Sequence, residues 1–249
     1  MPNDTVHPET IEVNGRTYAW PKQPVVIVCI DGSEPDYIEE AIAGSHMPYL
    51  AKALENGSDL RADCVVPSFT NPNNLSIVTG QPPAVHGISG NFFLDPDTGE
   101  EVMMNDPKFL RTGTIFKAFH DAGAKVAIVT AKDKLRRLLG HGLDFASGRA
   151  VSFSSEKVDE TSMADNGIDD AQTMVGRDIP DVYSAELSEF IFDAGVKLMD
   201  RMRPDLMYLS TTDYIQHKHA PGTPLANQFY AMMDKYWAEL DARGAVLAM

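Results

Sequence analysis

Thr70 lies in Pro67-Ser-Phe-Thr-Asn-Pro-Asn-Asn74, where Pro72 favours the start of a helix. A hydroxyl at such a place faces unpaired backbone N–H groups and the positive end of the helix dipole. Both stabilise an alkoxide and a phosphoryl group brought to it. A threonine that only caps the helix would look the same in sequence. Asp31 follows the apolar run Val25–Ile30 and precedes Gly32, so it projects from the carboxyl edge of a strand, where metal ions and phosphates are held in open α/β sheets. A turn or capping aspartate has the same surroundings. Asp213 and His217 come four residues apart after Leu206–Ser210, a spacing that puts both on one face of a helical turn. Carboxylate plus imidazole suits zinc, and a surface polar pair reads the same way. His219, two residues on, points elsewhere on a helix.

Lys132 and Lys134 follow the apolar run ending at Thr130 and precede a short helix, Leu135–Leu139. Cations at a helix start oppose its dipole unless an anion compensates, as an anionic substrate would; two solvated lysines are the alternative, at a cost of only tenths of a kcal/mol. Asn91, in His86-Gly-Ile-Ser-Gly-Asn91, offers an amide to a phosphoryl oxygen beside glycines that permit close approach, and it also suits a turn. His86 reads as a loop-stabilising residue rather than a metal ligand.

The elements that must position these residues alternate. An Asn14-Gly15 turn between short alternating runs predicts an N-terminal hairpin within an arm spanning residues 1–23. Strands are expected over Val25–Ile30, 60–66, Lys125–Thr130, Leu206–Ser210 and Ala245–Met249, and helices over 36–55 with a break at Pro48, 73–79, 112–122, 186–202 and 225–243. Strands so apolar belong in a parallel sheet buried on both faces. The fold class is therefore α/β, a mostly parallel central sheet sandwiched by helices over residues 24–249. Residues 154–183 carry few apolar groups and read as a long surface excursion with little structure of its own.

The 249 residues suffice for one large domain, and a net charge of -15 argues against a nucleic-acid or anionic-membrane partner. Binding of a small anion then needs local positive charge. No apolar leader or membrane-length run is present, and Cys29 and Cys64 lack metal-ligand spacing and read as packed thiols in a reducing cytoplasm. The composition leaves room for a homodimer.

The order of these pieces resembles the nucleotide pyrophosphatase/phosphodiesterase branch of the alkaline phosphatase superfamily: a strand ending in Asp-Gly, Pro-Ser-Phe-Thr-Asn-Pro with Thr79-Gly80, Pro-x-x-His-Gly-Ile-x-Gly-Asn at 83–91, then Asp-x-x-x-His. Thr-Ala-Lys-Asp-Lys at 130–134 together with Gly-Asn-Phe-Phe at 90–93 is similar to the members that cleave phosphonoacetate. The resemblance implies an alkaline phosphatase-like fold and a site with two zinc ions, iron or manganese being alternatives. It implies Asp31 and Thr70 on one ion, Asp213 and His217 on the other, Thr70 as nucleophile, and Thr70, Asn91, Lys132 and Lys134 holding a small phosphonate. The implied reaction splits the carbon–phosphorus bond through a phospho-threonine, giving acetate and phosphate. The same pattern calls for an Asp-His pair after the strand at Met249 and a histidine further on, so the resemblance predicts a C-terminally shortened chain lacking those ligands and a cap segment. A phosphodiesterase using the same threonine, and an anion-binding domain without catalysis, are the competing readings.

Overall fold

A computed structural model describes residues 7–249; residues 1–6 of the expected arm lie outside the described residues. The strands are β1 Thr10–Val13, β2 Arg16–Ala19, β3 Val25–Cys29, β4 Phe92–Leu94, β5 Glu101–Met103, β6 Val126–Thr130, β7 Ala150–Ser154, β8 Leu206–Ser210 and β9 Val246–Ala248. Five of them form the central sheet in the order β7-β6-β8-β3-β9, every neighbouring pair parallel.

Successive residues of a strand face opposite sides, and both sides here are covered. Val26, Val28, Ala127, Val129, Met207 and Leu209 point into one core cluster. It is closed by helices Glu186–Arg201 and Pro224–Ala242 through Phe190, Phe192, Met233 and Trp237. Val126, Ile128, Leu206 and Tyr208 point into the other, covered by helices Thr70–Thr79, Ile115–Asp121 and Asp133–Leu139. Fully buried side chains such as Phe116 and Leu138 each contribute about 1.5–3 kcal/mol of apolar transfer free energy. The chain is thus an α/β sandwich around a parallel sheet, as its apolar runs require.

Asn14 and Gly15 both have positive φ, 50° and 77°, as a type I′ turn between β1 and β2 demands. The hairpin is bonded to the body. Asn14 Nδ2 donates to the carbonyls of Thr79 at 2.9 Å and Gly113 at 2.8 Å, and Arg16 Nε donates to Gly80 O at 2.8 Å. It therefore ties down the far end of helix Thr70–Thr79.

Three expectations are corrected, and two features go beyond them. Residues 60–66 form no strand: Leu60 and Val66 are 85% and 91% exposed, because the alternating apolar pattern finds no neighbouring strand to pair with. The segment 154–183 is ordered by tertiary contacts, with helices Met163–Asn166 and Ala171–Val175 and with Val158, Ile168, Ala171 and Val175 buried in the core. β7 and the β4–β5 hairpin were not expected. Cys64 is exposed rather than packed, whereas Cys29 packs against the second core cluster.

Candidate active site

The helix carrying Thr70 begins two residues earlier than Pro72 alone suggests. Thr70 is its first residue, and Phe69 takes the capping position without a side-chain cap bond. The Thr70 hydroxyl is therefore not a cap. It donates to Asp31 Oδ2 at 2.8 Å. The ten-residue helix leaves first-turn N–H groups unpaired beside that hydroxyl.

Asp31 follows β3, and its backbone N–H donates to Thr211 Oγ1 at 3.1 Å, tying the end of β3 to the end of β8. Burial pushes its carboxyl above the ordinary range; the hydrogen bond from Thr70 opposes this, and the nearby Asp213 carboxylate adds to it.

Asp213 and His217 lie on a turn after β8. His217 N–H donates to Asp213 O at 3.0 Å, and His217 Nε2 lies 2.8 Å from Asp213 Oδ2, the helical-turn pairing that their spacing predicts. The turn is fastened from below. Tyr37 OH donates to the carbonyls of Gln216 at 3.2 Å and His219 at 2.8 Å, and Gln216 Nε2 donates to Tyr230 OH at 3.0 Å. His219 thus serves the turn through its backbone.

Asp31, Thr70, Asn91, Lys132, Lys134 and Asp213 line one cavity of about 240 Å³. His217 is not among the lining residues, and its side chain is 73% exposed. Lys132 caps helix Asp133–Leu139; its Nζ is 3.9 Å from Glu156 Oε1 and 5.6 Å from the centre of the Tyr183 ring. Lys134 is exposed, and Asn91 O accepts from Met104 N–H at 2.8 Å. Asn71, Ser210, Thr211 and Thr212 also line the cavity. They were not singled out in sequence, although Ser-Thr-Thr directly before Asp213 and Asn71 directly after Thr70 were signals. His86 is remote from metal chemistry: it is buried, Ile88 N–H donates to its Nδ1 at 3.2 Å, and its Nε2 lies 2.9 Å from Ser76 Oγ.

The donors form two pairs, Thr70–Asp31 and Asp213–His217, and among the described residues no three His, Cys, Asp or Glu side chains converge as one metal-binding group. Neither Asp31 nor Asp213 has a lysine or arginine partner among the described residues. Two neighbouring carboxylates with no lysine or arginine ion pair fit a cation, and carboxylate, hydroxyl and imidazole donors suit zinc, iron or manganese.

Among the described residues no helix is long and apolar enough to cross a membrane. The chain is 62% identical, with a TM-score of 0.94, to phosphonoacetate hydrolase from Sinorhizobium meliloti 1021 solved with phosphonoacetate, over 96% of this chain and 58% of that one. Murine ectonucleotide pyrophosphatase/phosphodiesterase 5 shares the fold at 17% identity and a TM-score of 0.55, over 90% of this chain and 55% of that one. An ectonucleotide pyrophosphatase/phosphodiesterase of Caenorhabditis elegans is 39% identical over 83 residues, 32% of this chain and 10% of that protein. The chain therefore spans little more than half of the solved relatives and a smaller part of the curated one. The family model for type I phosphodiesterase / nucleotide pyrophosphatase matches residues 25–243, and the chain belongs to that family.

Proposed function

We propose that this chain forms the catalytic core of a hydrolase that splits the carbon–phosphorus bond of phosphonoacetate. The observation that carries the reading is the Thr70 hydroxyl, fixed on Asp31 at a helix N-terminus, in a cavity that Lys132 and Lys134 also line. A nucleophile and two lysines lining one cavity match a small molecule that carries both a phosphonate and a carboxylate. The likeness to the Sinorhizobium meliloti hydrolase solved with phosphonoacetate and with phosphonoformate supports this choice.

The Thr70 proton is directed at Asp31 Oδ2, which leaves the oxygen lone pairs free for the cavity. In-line attack forms the Oγ–phosphorus bond as the phosphorus–carbon bond breaks, and the Thr70 proton leaves by way of Asp31 Oδ2. The electron pair passes to carbon and is delocalised into the adjacent carboxylate as an enediolate, which the lysines stabilise and which takes up a proton to give acetate. Water then attacks phosphorus and releases phosphate from Thr70. First-turn N–H groups and the Asn91 amide hold the phosphoryl oxygens. Zinc, held by Asp31 and Thr70 at one place and by Asp213 and His217 at the other, would supply positive charge for the oxygens that gain charge during transfer. Unpaired Cys29 and Cys64 are compatible with a reducing cytoplasm.

The family match favours a second reading, cleavage of a phosphate ester by the same threonine. Lys132 and Lys134 discriminate. Lys132→Ala and Lys134→Ala should abolish phosphonoacetate cleavage and spare slow cleavage of a nitrophenyl phosphonate ester. Equal losses on both substrates would overturn the phosphonoacetate assignment.

A further inference from the structure

We infer that Asn74, anchored by Tyr208, is a positioning residue for Thr70, an inference that rests on the hydrolase reading above. Asn74 lies one turn into the nucleophile's helix, faces the sheet and is 1% exposed. Its Nδ2 donates to Thr70 O at 2.9 Å. Its Oδ1 accepts from Tyr208 OH at 2.7 Å and, more distantly, from Ser210 Oγ at 3.5 Å. A chain of two short hydrogen bonds thus runs from the middle of β8 to the backbone of Thr70.

The geometry gives this chain work that packing alone does not do. The first turn of the helix lacks a side-chain cap and buries only Pro72, while Leu75 and Val78, which bind the helix to the core, lie further along it. The hairpin bonds secure its opposite end. Beside the Thr70 hydroxyl bond to Asp31, Asn74 ties the main chain of this turn to the sheet. Tyr208 and Ser210 belong to the strand that leads to Asp213, and Ser210 pairs with Cys29 on the strand that leads to Asp31. The nucleophile is therefore referenced to the same two strand ends that carry the carboxylates. A buried amide costs about 1–3 kcal/mol when its partners are removed, and displacement of a reacting atom by about 1 Å costs up to about 10²-fold in rate.

The test uses the intact, metal-loaded protein with Tyr208→Phe, Asn74→Ala and the double variant. Tyr208→Phe removes one oxygen and keeps the ring against Phe116, so folding is retained. Each single variant should lower kcat about tenfold with KM and metal content within about twofold of the parent, and the double variant should be no worse than Asn74→Ala, because both act through one chain. Amide hydrogen exchange supplies a readout independent of activity: residues 73–75 should exchange faster while 76–79 stay protected. An unchanged kcat and unchanged exchange would overturn the inference. So would a loss of protection along the whole helix with a lowered Tm and unchanged kcat, which marks a packing role only. A parent protein that turns over neither phosphonoacetate nor a nitrophenyl ester would overturn the hydrolase reading instead, while the exchange result would still decide whether Asn74 fixes the first turn.

Discussion

Gly32 and Asp213 touch across 181 residues of sequence: a Cβ added to Gly32 would lie 2.9 Å from Asp213 Cβ and 3.3 Å from Gln216 Cβ. Gly32 also has φ +69°, a left-handed conformation that strains other residues. The turn carrying Asp213 and His217 can sit beside Asp31 because this position has no side chain. Gly32→Ala should cost about 1–3 kcal/mol of stability, read by urea denaturation. It should also weaken zinc retention and turnover, because the turn must retreat from Asp31. Full zinc affinity in a destabilised Gly32→Ala protein would show that the two pairs do not depend on this contact.

Thr70→Ala removes the proposed nucleophile and leaves the helix with a good helix former at its first position. It should reduce turnover at least about 10³-fold with little change in Tm. Thr70→Ser keeps a hydroxyl within reach of Asp31 and should retain part of the rate. Mass spectrometry of acid-quenched protein should find a phosphorylated peptide containing residue 70 in the parent and in Thr70→Ser, and none in Thr70→Ala. A phosphopeptide elsewhere would move the nucleophile.

The parts legible in the sequence share one property: their environment is set locally. Val25–Cys29 and Leu206–Ser210 are continuous apolar runs because both faces are covered, and Asp31 and Asp213 are chemically placed because each follows such a run. β7 was hidden because Ala-Val-Ser-Phe-Ser reads as half polar; Ser152 and Ser154 are nevertheless buried, and Ser152 O accepts from Asn166 Nδ2 at 2.7 Å. Val158, Ile168, Ala171 and Val175 are single apolar residues whose burial is decided by distant partners, so residues 154–183 looked structureless. The same limit applies within the site. The place of Thr70 at a helix start could be read from its neighbours, but the bond from Tyr208 to Asn74 spans 134 positions and no local pattern announces it.

His86 should make stability fall with acidity. Ile88 N–H donates to Nδ1, so the proton of the neutral ring sits on Nε2 and is given to Ser76 Oγ, which in turn donates to Pro72 O. Burial lowers the pKa of His86 from 6.5. The unfolded chain then binds a proton that the folded chain refuses, so its contribution to stability is complete above about pH 6.5 and is lost as pH falls from there through the folded pKa. In urea titrations at a series of pH values, His86→Gln should be less stable than the parent at pH 8 and should show a shallower decline below about pH 6.5. Parallel curves for the two proteins would exclude His86 as the source.

The two cysteines should separate cleanly by reactivity. Cys64 is exposed, whereas the Cys29 thiol faces Tyr208, Asn74 and Ser210, and burial, aided by the Asp31 carboxylate, pushes its pKa up to about 11. At pH 8 only roughly one Cys29 in a thousand is then thiolate, the form that reacts. A chromogenic disulfide reagent should therefore release close to one equivalent of chromophore rapidly from the native protein and the second only after denaturation. Cys64→Ser should abolish the rapid phase and leave turnover unchanged, since residue 64 lies outside the cavity lining. If Cys64→Ser still reacts quickly, the half-buried Cys29 is the reactive thiol and the assignment to Cys64 fails.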